Sequence, residues 1–455
     1  MKIPIVKIFS LVCFPVMLVS CKKQLDEKPS QNLVVPSTLN DLQALIDNPN
    51  LTQFPYSNAE LPADNYYVLT TDWQQQSSSN PQEALSYNWD AAIFYPSFSW
   101  TSTYISPVYY SNIILDFLPK IKEENNDKRN SIKGSALFIR AFAFERLAQL
   151  YCKPYSSSAS TDPGIVLKLS SDIEESIMRS TVQGTYNQII NDLTTAAELL
   201  PVTTVFPTRP NKAAAYGELA RVYLSMRDYV NAGKYANLSL QQNNSLLDFN
   251  TLTASSTTPV PLFNTEVSFQ ACAQTAGIIY SYGKIDSLLY QSYSVNDLRK
   301  TVFFQANTGA NAGTYFFKGS YYGPLIPFSE FNGITSSEMY LIRAESYARA
   351  GDAFNAMADL NTLLMKRWRI GTFVTLTATD ATDAKNKILI ERRKELVFHG
   401  LRWSDLRRFN LEGANITLKR ILNATNYLLP PNDNRWVMLI PQEVINRSGL
   451  QQNPR

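Results

Sequence analysis

Residues 388–410 read ILIERRKELVFHGLRWSDLRRFN, setting many charges between apolar residues and holding the chain's single histidine, His399. The apolar positions Ile388, Leu389, Leu396, Phe398, Leu401, Trp403 and Leu406 come close to helical spacing and predict two short buried helices. Gly400 divides them as a C-cap, because glycine adopts positive φ at little cost. Glu395, His399, Arg402 and Asp405 have the composition of a catalytic cluster. A structural clamp fits the pattern better. Arg392, Arg393 and Glu395 can neutralise one another, and Arg402 and Asp405, three apart, can share a helical face beside Trp403. His399 lies near a predicted helix end, where a cation suits the dipole.

The rest of the chain gives this stretch ample material to hold. With 455 residues, 45% hydrophobic and 18% charged, the chain is long enough for a sizeable core and too apolar for disorder. A net charge of +3 implies no nucleic-acid field. Aromatics are plentiful, with 25 Tyr, 23 Phe and 6 Trp, and tyrosine suits binding surfaces that need an apolar face and a polar tip.

The N-terminus is a targeting segment. Lys2 and Lys7 precede an apolar run over residues 8–19, too short to span a bilayer, which ends Leu18-Val19-Ser20-Cys21. That ending resembles a bacterial lipobox and predicts a signal peptide over 1–20 and lipidation at Cys21. Acyl chains on one residue anchor stably because each buried CH₂ contributes about 0.8 kcal/mol. Residues 21–36 then read as a lipidated, extended tether. Once Cys13 leaves with the signal, Cys152 and Cys272 remain, as one bridge or as two buried thiols. Neither has zinc-finger spacing, one histidine removes most imidazole-based metal sites, and no EF-hand is present. No metal-ligand set and no cofactor is assigned, and calcium bound in the loops stays open.

A short amphipathic helix carries Leu39, Leu42, Leu45 and Ile46 after a cap at Ser37 or Thr38. Residues 47–103 lack periodicity and are rich in Pro, Asn, Ser, Gln and aromatics, including Trp73, Trp89, Tyr95 and Trp100. Helices follow at 106–121, 130–151 and 185–200. Two helix pairs, 212–240 and 337–368, then superpose: Tyr216, Ala220, Tyr223 and Ala232 fall at the offsets of Tyr340, Ala344, Tyr347 and Ala356. That spacing resembles the tetratricopeptide repeat, in which small residues let paired helices approach. Residues 144–151 match the first-helix half, and 388–409 supply a further unit. A large insertion over 247–336 separates the pairs, with alternation over 266–270 and a small hairpin from 302–304 and 314–318.

Motifs along almost the full length support a family resemblance. They begin with the lipobox, Leu25-Asp26 and Pro29, and continue with Trp100, Tyr104 and Asn112-Ile113-Ile114. Next come Arg140-Ala141-Phe142-Ala143, Leu150-Tyr151 and Pro154, then Asp297-Leu298-Arg299. The helix Glu338-Met339-Tyr340-Leu341-Ile342-Arg343-Ala344-Glu345 precedes Gly351. After the 388–410 stretch the chain runs to Leu439-Ile440-Pro441-Gln442-Glu443 and Gln452-Asn453-Pro454. In this order they resemble the SusD/RagB family of outer-membrane nutrient-binding lipoproteins, although His399 and Ser404 sit where its pattern varies. The resemblance implies a mainly α, SusD-like fold over 37–455. A tetratricopeptide-like helix-pair scaffold, mainly 106–246 and 337–410, would carry a few short strands and ligand-facing insertions at about 47–103 and 247–336. It also implies a protein at the cell exterior that binds glycans, or in some members peptides, for a SusC-like TonB-dependent transporter, with no chemistry on the ligand.

Sugar rings present C–H faces edged by hydroxyls, so flat aromatics beside polar side chains are the residues to seek. Asp64, Tyr66, Tyr67 and Trp73 offer both in the first insertion. Tyr280, Tyr282, Tyr321 and Tyr322 offer more in the second. Trp89 and Trp100 match family pattern positions and are expected in the core. No phosphate loop, G-x-S-x-G elbow, HExxH helix or GxGxxG run appears, and no catalytic residue is assigned. A glycoside hydrolase and a structural helix-repeat adaptor are the remoter alternatives.

Overall fold

The computed structural model describes residues 35–54, 59–91, 97–175, 177–323 and 329–455. The signal peptide, Cys21, nearly all of the tether and Tyr95 lie outside them. Seven helices form the scaffold, each touching the next: Asn126–Tyr151, Val182–Leu199, Lys212–Met226, Tyr229–Gln242, Ser336–Arg349, Ala353–Met365 and Ala381–Glu395. The repeat read from the sequence is here, with Ala220, Ala232, Ala344 and Ala356 fully buried between helices. Tyr223 and Tyr235 stack at 5.4 Å with planes 1° apart. At Gly233 an added Cβ would stand 2.7 Å from Cβ of Ser346, so the two repeat units meet where only glycine fits.

Every residue of Asn126–Tyr151 from Gly134 to Glu145 is buried, so the middle of this helix is surrounded on all sides. Phe138 and Phe142 meet Phe269 edge to face at 4.7 and 5.3 Å, joining the scaffold to the large insertion. Arg140 grips Asp192 through two 2.8 Å bonds and Asn112 at 2.9 Å, tying three helices together. Asn453 donates to the carbonyls of Tyr151 (2.9 Å) and Met438 (2.7 Å), which fixes the C-terminal segment to the end of this helix.

Thr38 caps Leu39–Ile46 in a reciprocal capping box with Asp41. The 47–103 segment, expected to be irregular, contains the helices Thr70–Ser79, Pro81–Tyr87 and Ser97–Thr103. They are too short for their periodicity to stand out. Trp89 and Trp100 are buried, as their pattern positions implied. The hairpin in the large insertion pairs Phe304–Ala306 with Tyr315–Phe317, starting two residues later than expected because Arg299–Val302 is helical. A second hairpin, Leu418–Leu422 with Thr425–Leu429, turns on Asn423 and Ala424, both at positive φ. Among the described residues the strands form one three-stranded and five two-stranded sheets.

The 388–410 stretch is two helices, Ala381–Glu395 and Arg402–Leu411. The turn between them uses two left-handed residues, Phe398 (φ 57°) and Gly400 (φ 71°), so the glycine lies inside the turn rather than directly capping the first helix. Its charges are structural, but their partners come mostly from elsewhere in the chain. Glu395 takes Arg367 at 2.7 Å and Arg299 at 3.1 Å. Arg367 also reaches Glu266 at 2.6 Å, and Arg299 reaches Asp297 at 2.7 Å and Glu391 at 2.5 Å. Asp405 pairs with Arg392 (2.8 Å) and Arg408 (2.9 Å) rather than with Arg402, which binds Asp64 at 2.7 Å. Trp403 packs on Trp436 at 4.5 Å.

Removing Glu395 would leave two fully buried guanidinium groups short of a counter-charge. Such losses cost about 3–5 kcal/mol. Glu395→Ala is expected to destabilise the protein by that amount in urea unfolding, and a midpoint equal to wild type would contradict the clamp.

Candidate functional site

A cleft of about 680 Å³ opens in the large insertion. One wall is the short helix Gly277–Tyr282 with the strand Lys284–Ile285, and another is the Phe304–Ala306/Tyr315–Phe317 hairpin. Ser329 and Glu330 of the strand Ser329–Phe331 also line it. Phe398 enters from the turn of the 388–410 stretch, its ring 4.8 Å from that of Phe317. Apolar and polar groups alternate along the lining. Tyr280 is 51% exposed and Phe316 is 36% exposed, and Gln305, paired across the hairpin with Phe316, lines the cleft along with Asn307 and Asn311.

The first insertion positions this cleft more than it lines it. Glu83 accepts from the backbone N–H of Ile278 at 2.7 Å and from Gln76 at 2.9 Å, fixing the helix that presents Tyr280. Tyr66–Tyr67 pairs antiparallel with Lys284–Ile285 and so braces one wall from behind. Lys284 is itself held by Asp72 at 2.6 Å.

Of the residues singled out by sequence, Tyr280 and Tyr282 come together in the cleft. Tyr66 is core, donating to the Leu61 carbonyl at 2.8 Å and packed on Tyr87. Tyr321 is also core and donates to Glu266 at 3.0 Å. Neither ring has a face open to a ligand. Tyr322 is buried, and Gln53 donates to its hydroxyl at 3.0 Å. Trp73 is half-buried, donating to the Ala84 carbonyl at 3.0 Å, with its ring 6.5 Å from Tyr427 of the second hairpin. Tyr67 is half-buried, and Asp64 belongs to the clamp. Burial opposes ionisation of Asp64, but Arg402 and Arg393 outweigh it and hold the carboxyl below the usual range.

Sequence reasoning missed Phe398, Phe316, Gln305, Asn307 and Glu330. Phe316 and Gln305 lie on or beside strands of the anticipated hairpin, so its alternation was the available signal. Nothing local marked Phe398 or Glu330. His399 is not the cation its helix-end position suggested. Burial, with the edges of Tyr321 and Phe331 about its ring at 5.2 and 5.1 Å, pushes its pKa down to about 4, and it is neutral. Cys152 and Cys272 are both free and buried, and burial raises each thiol to about 12. Among the described residues no group of three or more His, Cys, Asp and Glu is placed to hold a metal ion. No described helix is long and apolar enough to cross a membrane.

The fold is thus a helix-pair scaffold whose large insertion holds a cleft of aromatic and amide side chains. Two family models match the chain. One, a SusD-like family described as "Starch-binding associating with outer membrane", covers residues 23–224, and the SusD family covers 335–455. The chain belongs to the SusD/RagB family. It is 25% identical over 353 residues to "SusD-like protein P2" of Formosa agariphila, covering 63% of this chain and 67% of that one. Solved structures share the fold. A SusD superfamily protein from Bacteroides thetaiotaomicron aligns at TM-score 0.74 and 21% identity over 92% of this chain and 100% of its own. Surface glycan-binding protein A from Bacteroides fluxus aligns at TM-score 0.72 and 17% identity, again over 92% and 100%.

Two measurements check this chemistry. A histidine depressed in the folded state takes up its proton mainly on unfolding, so its contribution to stability falls as pH drops from 6.5 toward 4. Across that window wild type should lose about 3 kcal/mol more than His399→Phe, and parallel pH–stability curves would refute a neutral His399. Both thiols should resist a thiol reagent at pH 8 in the native protein and react on denaturation.

Proposed function

We propose that the protein is a lipoprotein anchored through Cys21 to the outer membrane and facing the cell exterior. In this reading it binds nutrient oligosaccharides or polysaccharides in the Tyr280 cleft and passes them to a SusC-like TonB-dependent transporter. The observation that carries the reading is that one cleft is lined both by the half-exposed Tyr280 ring and by the amides of Gln305 and Asn307. A pyranose face stacks on such a ring while its hydroxyls meet the amides. Family membership and the likeness to a surface glycan-binding protein support the same ligand class. The protein's part is recognition and delivery, with no bond made or broken.

Calorimetry with neutral oligosaccharides tests the cleft. Tyr280→Ala should weaken binding by about tenfold, a loss of about 1–2 kcal/mol, with the melting temperature unchanged. Trp73→Ala should instead lower stability and leave affinity as it was, because that indole is bonded to Ala84 within the first insertion. Equal affinity of wild type and Tyr280→Ala would move the site elsewhere, and binding of peptides in place of sugars would favour the family's other ligand class. Recovery from detergent extracts without a transporter barrel would count against the delivery step.

A further inference from the structure

The Phe304–Ala306/Tyr315–Phe317 hairpin turns one face to the cleft. Gln305 stands opposite Phe316 in the antiparallel register, and directly opposed residues share a face. Lys318 lies two residues past Phe316, and its backbone N–H donates to the Phe303 carbonyl at 2.8 Å, carrying the pairing one step beyond the strand. Side chains alternate along a strand, so Lys318 falls on the same face as the Phe316 ring and the Gln305 amide. All three line the cleft, whereas Tyr315 points the other way and stacks on Tyr290 at 3.6 Å.

Lys318 brings a charge that the protein leaves unanswered. Its ammonium donates to the carbonyls of Ala254 and Ser256 at 2.5 and 3.0 Å. Those bonds use two of three donors and leave the positive charge intact, since tying carbonyls needs N–H groups and no net charge. Partial burial lowers the Lys318 pKa, and no carboxylate offsets it. The other charges of the walls are spent or sealed. Lys284 is buried and held by Asp72 at 2.6 Å and the Tyr282 carbonyl at 3.0 Å, and Glu330 is only 2% exposed. Lys318 is half-buried, and among the described lining residues it is the one charge open to the cleft. Its carbonyl partners fix the ammonium beside the segment that carries Thr257 and Thr258, which line the cleft as well.

We propose that Lys318 makes this cleft select acidic glycans, its ammonium pairing with a uronate carboxylate or a sulfate ester on a sugar held against the cleft's aromatics. The proposal rests on the cleft being the glycan site and narrows the ligand within that class. Neutral sugars keep the stacking and the amide contacts. An acidic unit adds a charge-assisted hydrogen bond, which is stronger than a neutral one, and Lys318 has no carboxylate to give up in making it. Residues two apart on a strand are about 7 Å apart, so a ring stacked on Phe316 carries the substituent at its edge toward the ammonium. A cationic amino sugar would meet a like charge there.

The probes are matched neutral, uronate-bearing and sulfated oligosaccharides on gluco- and galacto- backbones. They are titrated by calorimetry into wild type, Lys318→Met, Lys318→Arg and Tyr280→Ala. Wild type should bind an acidic series about tenfold more tightly than its neutral match, and added salt should weaken the acidic ligand alone. The methionine variant, which keeps the length without the charge, should bring that ratio close to one. Arginine should restore it to within about threefold of wild type. Preference for the uronates or for the sulfates identifies the anionic group, and either supports the role of Lys318. A methionine variant that weakens acidic and neutral ligands in the same proportion would show that Lys318 only ties the 254–256 segment, and the proposal fails. Wild type binding neutral sugars as tightly as acidic ones, with Tyr280→Ala weakening both, would also refute it and leave the cleft standing. No binding of any sugar by wild type, or binding untouched in Tyr280→Ala, would overturn the glycan reading of the cleft and the proposal with it.

Discussion

A buried charge must find its opposite, and the ion pairs around Glu395 show how far that requirement reaches. Arg367 and Arg299 converge on it from two different parts of the chain, and each brings a further carboxylate, Glu266 or Asp297. All five side chains are essentially excluded from water. None can be withdrawn without leaving another stranded, so the segments that carry them hold one arrangement. The large insertion has little regular structure of its own. It is kept in place because Glu266, Asp297 and Arg299 answer to a helix of the scaffold.

The same junction builds the cleft. The turn that follows Glu395 sends Phe398 toward Phe317 of the hairpin, and the Gly400 N–H secures Glu60. Arg402 fixes Asp64, two residues before the strand that braces Lys284–Ile285. Cleft and scaffold therefore share one joint. The stretch that has the look of an active site holds the cleft's walls in position, and the aromatics that look like recognition residues divide between the cleft and the core.

Local patterns were legible and long-range pairings were not. The spacing of Tyr216, Ala220 and Ala232 against Tyr340, Ala344 and Ala356 exposed the helix pairs because a repeat is a short-range signal that recurs. The break at Gly400 and the hairpin near residue 304 were legible for the same reason. Arg402 could be matched on paper to Asp405, three residues away, but in the fold it meets Asp64, 338 positions distant, and no periodicity records such a meeting. The site divides in the same way. Tyr280 and Tyr282 stood out as two aromatics of the large insertion flanking a serine, and they line the cleft. Tyr66 and Tyr321 looked alike in sequence and turned out to be core, because burial is decided by what the rest of the chain lays over them. Glu330 had no signal at all, since the wall it belongs to exists only once three strands are assembled.

Asn453 closes the end of the Asn126–Tyr151 helix from a distance of 302 residues along the chain. A contact of that span is slow to form, because the entropy of closing so long a loop is lost before any packing rewards it. Asn453 joins that helix end last, beside Arg179, which also donates to the Tyr151 carbonyl at 3.3 Å. In a chain exported as proposed, this contact therefore forms only on the far side of the membrane.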